Sequence, residues 1–277
     1  MSQSHPFVLK QIPEMRSPSL LVGWRQDAGR LGLKVLDYWG RKLGCQEFAE
    51  ISLPDFFPLS GVSVEDDVVQ FPESKFYWSQ ESETVLFLSD TPGQEYYRFL
   101  NAVLDVAQLH CKVKQVYVIG GMVSMLTHAA PRRVLGVVNQ PQLKEALRLE
   151  GIDTSMEYRT PRGSSPTISS YLLWLAGRRS LPGANLWGEV SFYLAAGDDP
   201  WACKRMLTAL GRRLDLQVDM ADVDADMTAQ AQKLDELKAE DQDINKCLEM
   251  LERGIMLNEE ESENLVRMVT EHLQRKS

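Results

Sequence analysis

Short apolar runs alternate with amphipathic segments over the first 219 residues. The run SLLVGW at 19–24 is bounded by polar residues, and apolar side chains then recur at three- and four-residue steps from Leu31 to Trp39. The first pattern predicts a buried strand, and the second predicts a helix that Asp27 can cap. Gly44 is predicted to end this helix, and 46–51 to return as a second strand.

The same alternation continues to residue 214. Apolar runs predict further strands at 84–88, 115–119, 133–138 and 185–191. Helical spacing predicts helices at 94–110, 142–150, 167–178 and 200–214. Strands and helices that alternate in this way indicate an α/β protein, with a mixed, largely parallel sheet covered by helices on both faces.

One stretch interrupts the alternation. Between 53 and 80 the short β-prone pieces VSV, VVQF and KFYWSQ are separated by Pro54, Pro58, Gly61 and Pro72. Prolines cannot donate to a sheet ladder, so this stretch is predicted to be an edge strand or a hairpin insertion.

The pattern changes at residue 220, where proline disappears and acidic residues become frequent. Apolar residues follow a heptad seam that is broken only by Gln230 and Asp241: Met220, Val223, Met227, Leu234, Leu237, Ile244, Leu248, Leu251 and Ile255. Gly254 is predicted to end this long helix. We therefore divide the chain into an α/β core at 1–219 and an acidic tail at 220–277.

A second helix is predicted after the first one ends. Asn258 and Glu261 have the spacing of a reciprocal capping box. An apolar stripe follows the box and consists of Leu265, Val266, Val269 and Leu273. The stripe can pack against the seam of the first helix, so the tail is predicted to be a helical hairpin that offers this seam for contact.

The charge of the chain limits the kinds of molecule that it is expected to bind. The net charge is −9, with 39 acidic and 30 basic residues, and no cluster of basic residues is present to bind a phosphate backbone. The Arg132-Arg133, Arg178-Arg179 and Arg212-Arg213 pairs are expected on solvated faces or at helix ends. No apolar run is long enough to span a membrane, so we expect a cytoplasmic protein that binds neither nucleic acid nor membranes.

The cysteines do not form a metal or redox motif. Cys45, Cys111, Cys203 and Cys247 lie far apart, without a Cys-x-x-Cys spacing or a neighbouring histidine pair. We expect reduced thiols, no metal and no cofactor.

Two turns carry the candidate chemistry. The segment from Arg25 through Asp27 to Gly29 joins a strand to a helix, where free amide groups can bind an anion. Gly120 and Gly121 follow a central strand, with His128 shortly after, and ligands of α/β sheets bind at the carboxyl ends of strands. A purely structural role for the glycines and His128 is the alternative for both turns.

No catalytic residue is predicted. The serines in 162–166 lie in a loop without the G-x-S-x-G pattern, and His128 has no carboxylate or cysteine at a recognisable spacing. The carboxylates concentrate in the tail, where they are predicted to form a solvated helix face.

Four stretches together resemble the proteasome assembly chaperone 2 family. They are LLVGWRQDAGRLGLKVLDYWGRKLG, LDVAQLHCKVKQVYVIGGM, THAAPRRVLGVVNQPQL and YRTPRGSSPTISSYLLWLAGRRSLPGANLWGEVSFYLAAGDDPWACKRML. The resemblance implies a three-layer αβα sandwich like that of phosphorylases and hydrolases, usually in a homo-oligomer and without established catalytic activity. Some archaeal members of the family dock on the proteasome through a C-terminal tail with a penultimate tyrosine. This chain reads LQRKS at 273–277 instead, so we do not expect that mode of docking.

The leading hypothesis is a non-enzymatic assembly factor. It would associate with copies of itself and bind a proteasome-like or other protein partner. The alternative is a small-molecule enzyme or nucleotide-binding protein that uses the glycine turns at the strand ends.

Overall fold

The computed structural model describes residues 6–52, 55–57, 62–65, 67–157, 159 and 166–274. The strands are β1 Phe7–Leu9, β2 Ser19–Trp24, β3 Gln46–Ile51, β4 Ser63–Glu65, β5 Val68–Gln70, β6 Ser74–Ser79, β7 Thr84–Ser89, β8 Gln115–Ser124, β9 Val134–Val138 and β10 Gly183–Ser191. The helices are α1 Leu31–Lys42, α2 Tyr96–Asp105, α3 Leu143–Leu149, α4 Ile168–Arg178, α5 Pro200–Leu214, α6 Ala221–Glu240, α7 Gln242–Glu252 and α8 Glu259–Gln274. The predicted serine loop at 162–165 and the last three residues, 275–277, lie outside the described residues.

Eight strands form one mixed sheet, in the order β1-β3-β6-β7-β2-β8-β10-β9. The four central strands β7, β2, β8 and β10 pair in parallel. The outer strands pair antiparallel: β1 with β3, β3 with β6 and β6 with β7 on one side of the sheet, and β10 with β9 on the other. Parallel pairing is thus confined to the centre of the sheet that was predicted to be largely parallel. The reason is that β6 and β7 are joined by a short turn, which permits only antiparallel pairing.

The central strands β2 and β7 are buried along their whole length because both faces of the sheet are covered there. In β2, Leu20 and Val22 point into the cluster that contains α2 and α4, whereas Leu21 points into the cluster that contains α1 and α5. Both clusters are buried, and this is the arrangement in which a strand reads as a continuous apolar run. The core is therefore a three-layer αβα sandwich, as predicted.

The interrupted stretch between β3 and β7 contains two different structures. Strands β4 and β5 pair only with each other, as a separate two-stranded hairpin. Strand β6 instead lies inside the main sheet between β3 and β7, with Phe76 fully buried. The prediction of a hairpin insertion is confirmed for β4 and β5, but the segment KFYWSQ is part of the main sheet.

The tail has three helices where the sequence predicts two. Asp241 adopts an extended conformation, with φ −130° and ψ 110°, and its carboxylate accepts hydrogen bonds from the amides of Asp243 and Ile244. This is the geometry of an N-cap, so α6 ends at Glu240 and α7 begins at Gln242. The prediction of one continuous helix through Asp241 is wrong, because an aspartate that caps competes with helix continuation.

The predicted cap of the last helix is confirmed. The amide of Asn258 donates to the Glu261 carboxylate at 3.0 Å, and the amide of Glu261 donates to the Asn258 side-chain oxygen at 2.9 Å. These two bonds are the reciprocal pair of a capping box.

Within the described ranges, every helix is too short or too polar to traverse a lipid bilayer.

Candidate functional site

The predicted glycine turns meet where β2 ends, beside the middle of β8. The prediction that Gly120 and Gly121 follow the central strand is wrong, because β8 continues through both to Ser124 and pairs with β10 over that length. A Cβ atom at Gly121 would lie 2.0 Å from the backbone oxygen of Ala28, and one at Gly23 would lie 2.8 Å from that of Gly32. Such distances are possible only without a side chain. The turn from Arg25 to Gly29 therefore crosses directly over β8 at Gly121.

Asp27 joins these two segments through one carboxylate oxygen. Its Oδ2 accepts hydrogen bonds from the amides of Gly32 at 3.0 Å and Gly121 at 2.9 Å. Its Oδ1 is buried and has no hydrogen-bond partner among the described residues. Burial raises the pKa of Asp27 from 3.8 to about 6, although the backbone amides oppose this shift. Asp27 thus accepts a hydrogen bond from the second residue of α1, although Asp27 itself lies four residues before the helix. The N-cap residue of α1 is Arg30.

Two amide groups that an anion could use at this turn are already engaged. The amide of Gly29 donates to the Ala195 oxygen at 2.8 Å, and that of Arg25 donates to the Ser89 oxygen at 2.9 Å. The Arg25 guanidinium binds Glu73 at 2.8 Å. An anion would also face the Asp27 carboxylate. Anion binding at Arg25–Gly29, Gly120 and Gly121 stays a prediction, and the hydrogen bonding favours the structural alternative.

His128 is buried and packs against Tyr193 and Trp201, away from the glycine turns. Its Nδ1 is 2.9 Å from the Tyr193 hydroxyl, and its ring centroid is 5.3 Å from that of Trp201. Burial lowers the pKa of His128 to about 4, so the ring is neutral at neutral pH. No hydrogen bond or ring contact links His128 to the turn within the described residues, and its environment is that of a packed histidine.

A buried ion pair next to His128 is absent from the sequence prediction. Arg132 and Asp199 lie 3.0 Å apart with side chains only 2% and 0% exposed. The Arg132 guanidinium also donates to the Ser191 hydroxyl at 2.9 Å and to the Thr127 carbonyl at 2.7 Å. Asp199 accepts from the Ala202 amide at 2.9 Å. This network ties the loop after β8 to the end of β10 and the start of α5.

The expectation that the Arg132-Arg133 pair is solvated is wrong for Arg132. Arg133 is 63% exposed and binds Glu189 at 2.7 Å, whereas Arg132 points inward. The sequence does indicate a role for Asp199, because an aspartate directly before a proline is typical of the start of a helix. Its cationic partner lies 67 positions earlier, and no local pattern connects the two.

The tail packs beside this network on its own core. A short 3₁₀ turn, Phe192–Leu194, follows β10, and Tyr193 and Leu194 enter the same apolar cluster as the tail helices. Seven residues that were predicted to line the seam or the apolar stripe are buried in this cluster: Leu234, Leu237, Ile244, Leu248, Leu251, Leu265 and Val269. Val223 instead lies in the core cluster with α1 and α5, and Ile255 is 48% exposed. Met227 is half-buried and lies outside the cluster of the tail helices. The seam is thus brought together as the inner face of the tail.

Burial keeps three of the cysteine thiols protonated. Burial raises the pKa of the Cys45 thiol to about 11 and those of Cys111 and Cys203 to about 12, so these thiols are protonated at neutral pH. Within the part of the chain that the structure describes, His, Cys, Asp and Glu side chains form no cluster that could hold a metal ion.

A family model describes this combination of core and first tail helix. The model of the PAC2 family matches residues 20–238. The chain belongs to the PAC2 family. The matched range runs from the second residue of β2 almost to the end of α6, so α7 and α8 lie beyond it.

Solved structures share the PAC2 fold of this chain. The archaeal proteasome activator PbaB of Pyrococcus furiosus is 21% identical, with a TM-score of 0.68 over 84% of this chain and 98% of its own. A proteasome-assembly chaperone homologue of Mycobacterium tuberculosis is 19% identical, with a TM-score of 0.67 over 80% and 96%.

A third PAC2-like structure, a Mycobacterium tuberculosis protein of unknown function, is 18% identical, with a TM-score of 0.77 over 92% of both chains. At these identities the similarity establishes the fold alone. No curated protein sequence shows significant similarity to the chain.

Proposed function

We propose that this PAC2 protein is a non-enzymatic assembly factor that binds a protein partner through the acidic outer faces of its tail helices. The partner class we propose is the proteasome or a similar ring-forming protein. Two structural neighbours are described as a proteasome activator and a proteasome-assembly chaperone homologue, and this supports the choice of partner.

The observation that carries the proposal is the distribution of charge. Residues 220–277 contain 15 acidic and seven basic residues, so this fifth of the chain holds −8 of the net charge of −9. The inner face of the tail is committed to its apolar cluster, and its carboxylates therefore face outward. Exposed examples on α6 and α8 are Glu236, Glu240 and Glu263.

An acidic face of this kind selects its partner by charge. Complementary charges raise the association rate and suppress wrong partners more than they add affinity. The surface recognised on the partner should accordingly be basic, and the interaction should weaken as ionic strength rises.

The test neutralises charge without removing the helices. Glu236→Gln, Glu240→Gln and Glu263→Gln are combined in one full-length variant. The matched control combines Glu14→Gln, Glu81→Gln and Glu157→Gln, which are exposed residues of the core. Both variants and the unmodified chain are tagged, purified from native cells at two salt concentrations, and their partners are identified and quantified.

We expect the tail variant to recover several-fold less proteasome-like protein than the unmodified chain does, and the control variant to recover a similar amount. Equal recovery by the tail variant and the unmodified chain would rule out the tail as the binding surface. Recovery of no proteasome-like protein by the unmodified chain would rule out the proposed partner.

We also propose that copies of the chain associate through the core. Large apolar side chains are exposed on the β4–β5 hairpin and on α4, where Val64, Val69, Phe71 and Trp174 have 67%, 52%, 60% and 48% of their surface accessible. Exposed apolar groups in such number are typical of interaction surfaces. A homo-oligomer would cover them.

Light scattering tests the association directly. Phe71→Ser and Trp174→Ser are measured separately against Leu149→Ser, a control at a residue that is 77% exposed. A lower mass in at least one of the first two variants supports association through the core, whereas a monomeric unmodified chain contradicts it.

A further inference from the structure

A groove separates the core from the tail on the side of α1 and α6. Its volume is about 550 Å³, which falls in the size range of small-molecule sites. One wall is α1 with the residue before it, the other is α6, and the loop 194–200 and the last turn of α8 close the ends. The groove therefore belongs to both regions of the molecule.

Basic side chains line both walls. Arg30, Lys34 and Arg41 come from the α1 side, where spacings of four and seven residues place them on one face. Lys233 comes from α6. Four cations thus converge on one groove in a chain whose net charge is −9.

The lining carboxylates do not balance these cations. Asp198 is shared by Arg30 and Lys34, each at 2.7 Å. Asp199 also borders the groove, but it is neutralised internally by Arg132. Arg41 and Lys233 form no ion pair with any described residue, and Asp226 is the other lining carboxylate. Two positive charges therefore remain in excess.

The backbone at Arg30 provides an independent observation. Arg30 adopts the left-handed region with φ 46° and ψ 34°, a conformation that costs a residue with a side chain about 1–2 kcal/mol. Glycine would adopt it without this cost. Strained residues of this kind concentrate at ligand sites. Seven described non-glycine residues have a positive φ, and Arg30 is the one among them that lines this groove.

We propose that this groove binds a small anion carrying two or more phosphate or carboxylate groups. One anionic group would lie at Arg30 and Lys34, where two cations share one carboxylate. Another would lie at Lys233, one helical turn from Gln230, whose side-chain amide donates to the Asp198 carbonyl at 3.0 Å. The excess charge on the walls would concentrate such anions in the groove.

This site is distinct from the glycine turn predicted as an anion site. The amides of that turn are engaged by protein acceptors, whereas the groove offers side-chain cations. Because the ligand would contact α1 and α6 together, it would also hold the tail against the core. The inference does not depend on the partner proposed above.

The test measures binding of pyrophosphate and of citrate to the full-length chain by calorimetry, which separates phosphate from carboxylate ligands. Arg30→Gly is informative because it removes the cation while relieving the backbone. A second variant combines Lys34→Gln with Lys233→Gln. Lys144→Gln with Lys246→Gln, exposed residues outside the groove, forms the control, and Arg25→Gln tests the glycine turn.

We expect saturable binding of at least one of the two probes. Charge-assisted hydrogen bonds contribute about 1.5–3 kcal/mol each, so both groove variants should weaken binding about tenfold or more. Arg30→Gly should do so without a lower melting temperature. The control pair and Arg25→Gln should bind as the unmodified chain does.

Three results would overturn the proposal. They are the absence of saturable binding of both probes, unchanged binding in both groove variants, and a loss of binding in Arg25→Gln or in the control pair as large as that in the groove variants.

Discussion

The core and the tail of this protein differ in net charge and in the way they bury apolar residues. The core contains 24 acidic and 23 basic residues and is nearly neutral, whereas the tail has a net charge of −8. The core buries two apolar clusters, one on each face of its sheet, and the tail encloses a single cluster. The core is thus a nearly neutral scaffold, whereas the appended tail carries an excess of carboxylates.

Several ion pairs lie at the junction between the core and the tail. Beneath the tail lies the buried Arg132–Asp199 pair, and at the edge of α6, Asp222 binds Lys42 at 2.9 Å while Asp224 binds Lys204. Apolar contacts join the regions at two places: Tyr193 and Leu194 of the core lie in the tail cluster, and Val223 of α6 is buried in the core cluster beside α1 and α5. The tail is thus held to the core by ion pairs and by apolar contacts at both places.

The largest effect should come from breaking the buried pair at the junction. Removing one member of a buried ion pair leaves the other charge unpaired and costs about 3–5 kcal/mol. Asp199→Leu should lower the free energy of unfolding by this amount in urea titrations. Adding Arg132→Met to this variant should recover part of the loss, and a loss below 1 kcal/mol in the single variant would contradict the account.

Replacing one buried leucine in each region tests whether the tail and the core unfold separately. Leu248 of the tail and Leu20 of the core are 1% and 0% exposed, and replacing such a residue by alanine costs about 2–5 kcal/mol. Under native hydrogen exchange, Leu248→Ala should speed exchange in α6–α8 and leave β2 and β8 unchanged. Leu20→Ala should destabilise the core strands. Equal acceleration everywhere in Leu248→Ala would show that tail and core unfold as one unit.

Asp27 should give the core a characteristic pH dependence. Burial raises its pKa from 3.8 in its ordinary state to about 6 in the folded chain, so folding favours the protonated form. Its contribution to stability is complete below pH 4 and is lost as the pH rises through 6, by at most about 3 kcal/mol.

Urea titrations of Asp27→Asn at pH 4 and pH 8 measure this contribution. Relative to the unmodified chain, the variant should lose less stability on going to pH 8. Glu81→Gln, at an exposed residue of the core, should behave as the unmodified chain does. An identical pH dependence in all three proteins would show that the folded state does not disfavour the Asp27 carboxylate.

The smallest effect should come from the cap inside the tail. Asp241→Ala removes two hydrogen bonds at the start of α7 and should destabilise the tail by about 1 kcal/mol. Asp241→Asn should retain most of the stability because asparagine also caps. The measurement is the exchange rate of the α7 amides, and no difference between the alanine and asparagine variants would argue against a capping role.

The sequence predicts the central part of the core well because strands buried on both faces must be apolar throughout. The runs that became β2, β7 and β8 carry this signal, and the helices between them carry helical spacing. The order of strands carries no local signal, so the place of β6 inside the sheet could not be predicted. Arg132 was missed for the same reason, since its partner Asp199 is distant in the chain.

The tail shows a different limit of sequence reasoning. The apolar spacing continues through Asp241 as if one helix were present, because α6 and α7 turn the same kind of face toward one cluster. Only the capping tendency of Asp241 distinguishes a break from a polar seam position. The local capping box at Asn258 and Glu261 could be predicted because both partners lie within one turn.

Hydrogen exchange with and without the captured partner tests the central claim most directly. The account predicts that partner binding slows exchange in the amides of α6 and α8 and leaves the central strands β2 and β8 unchanged. Protection confined to the surface of the core, with no change in α6–α8, would contradict the claim that the acidic tail is the binding element.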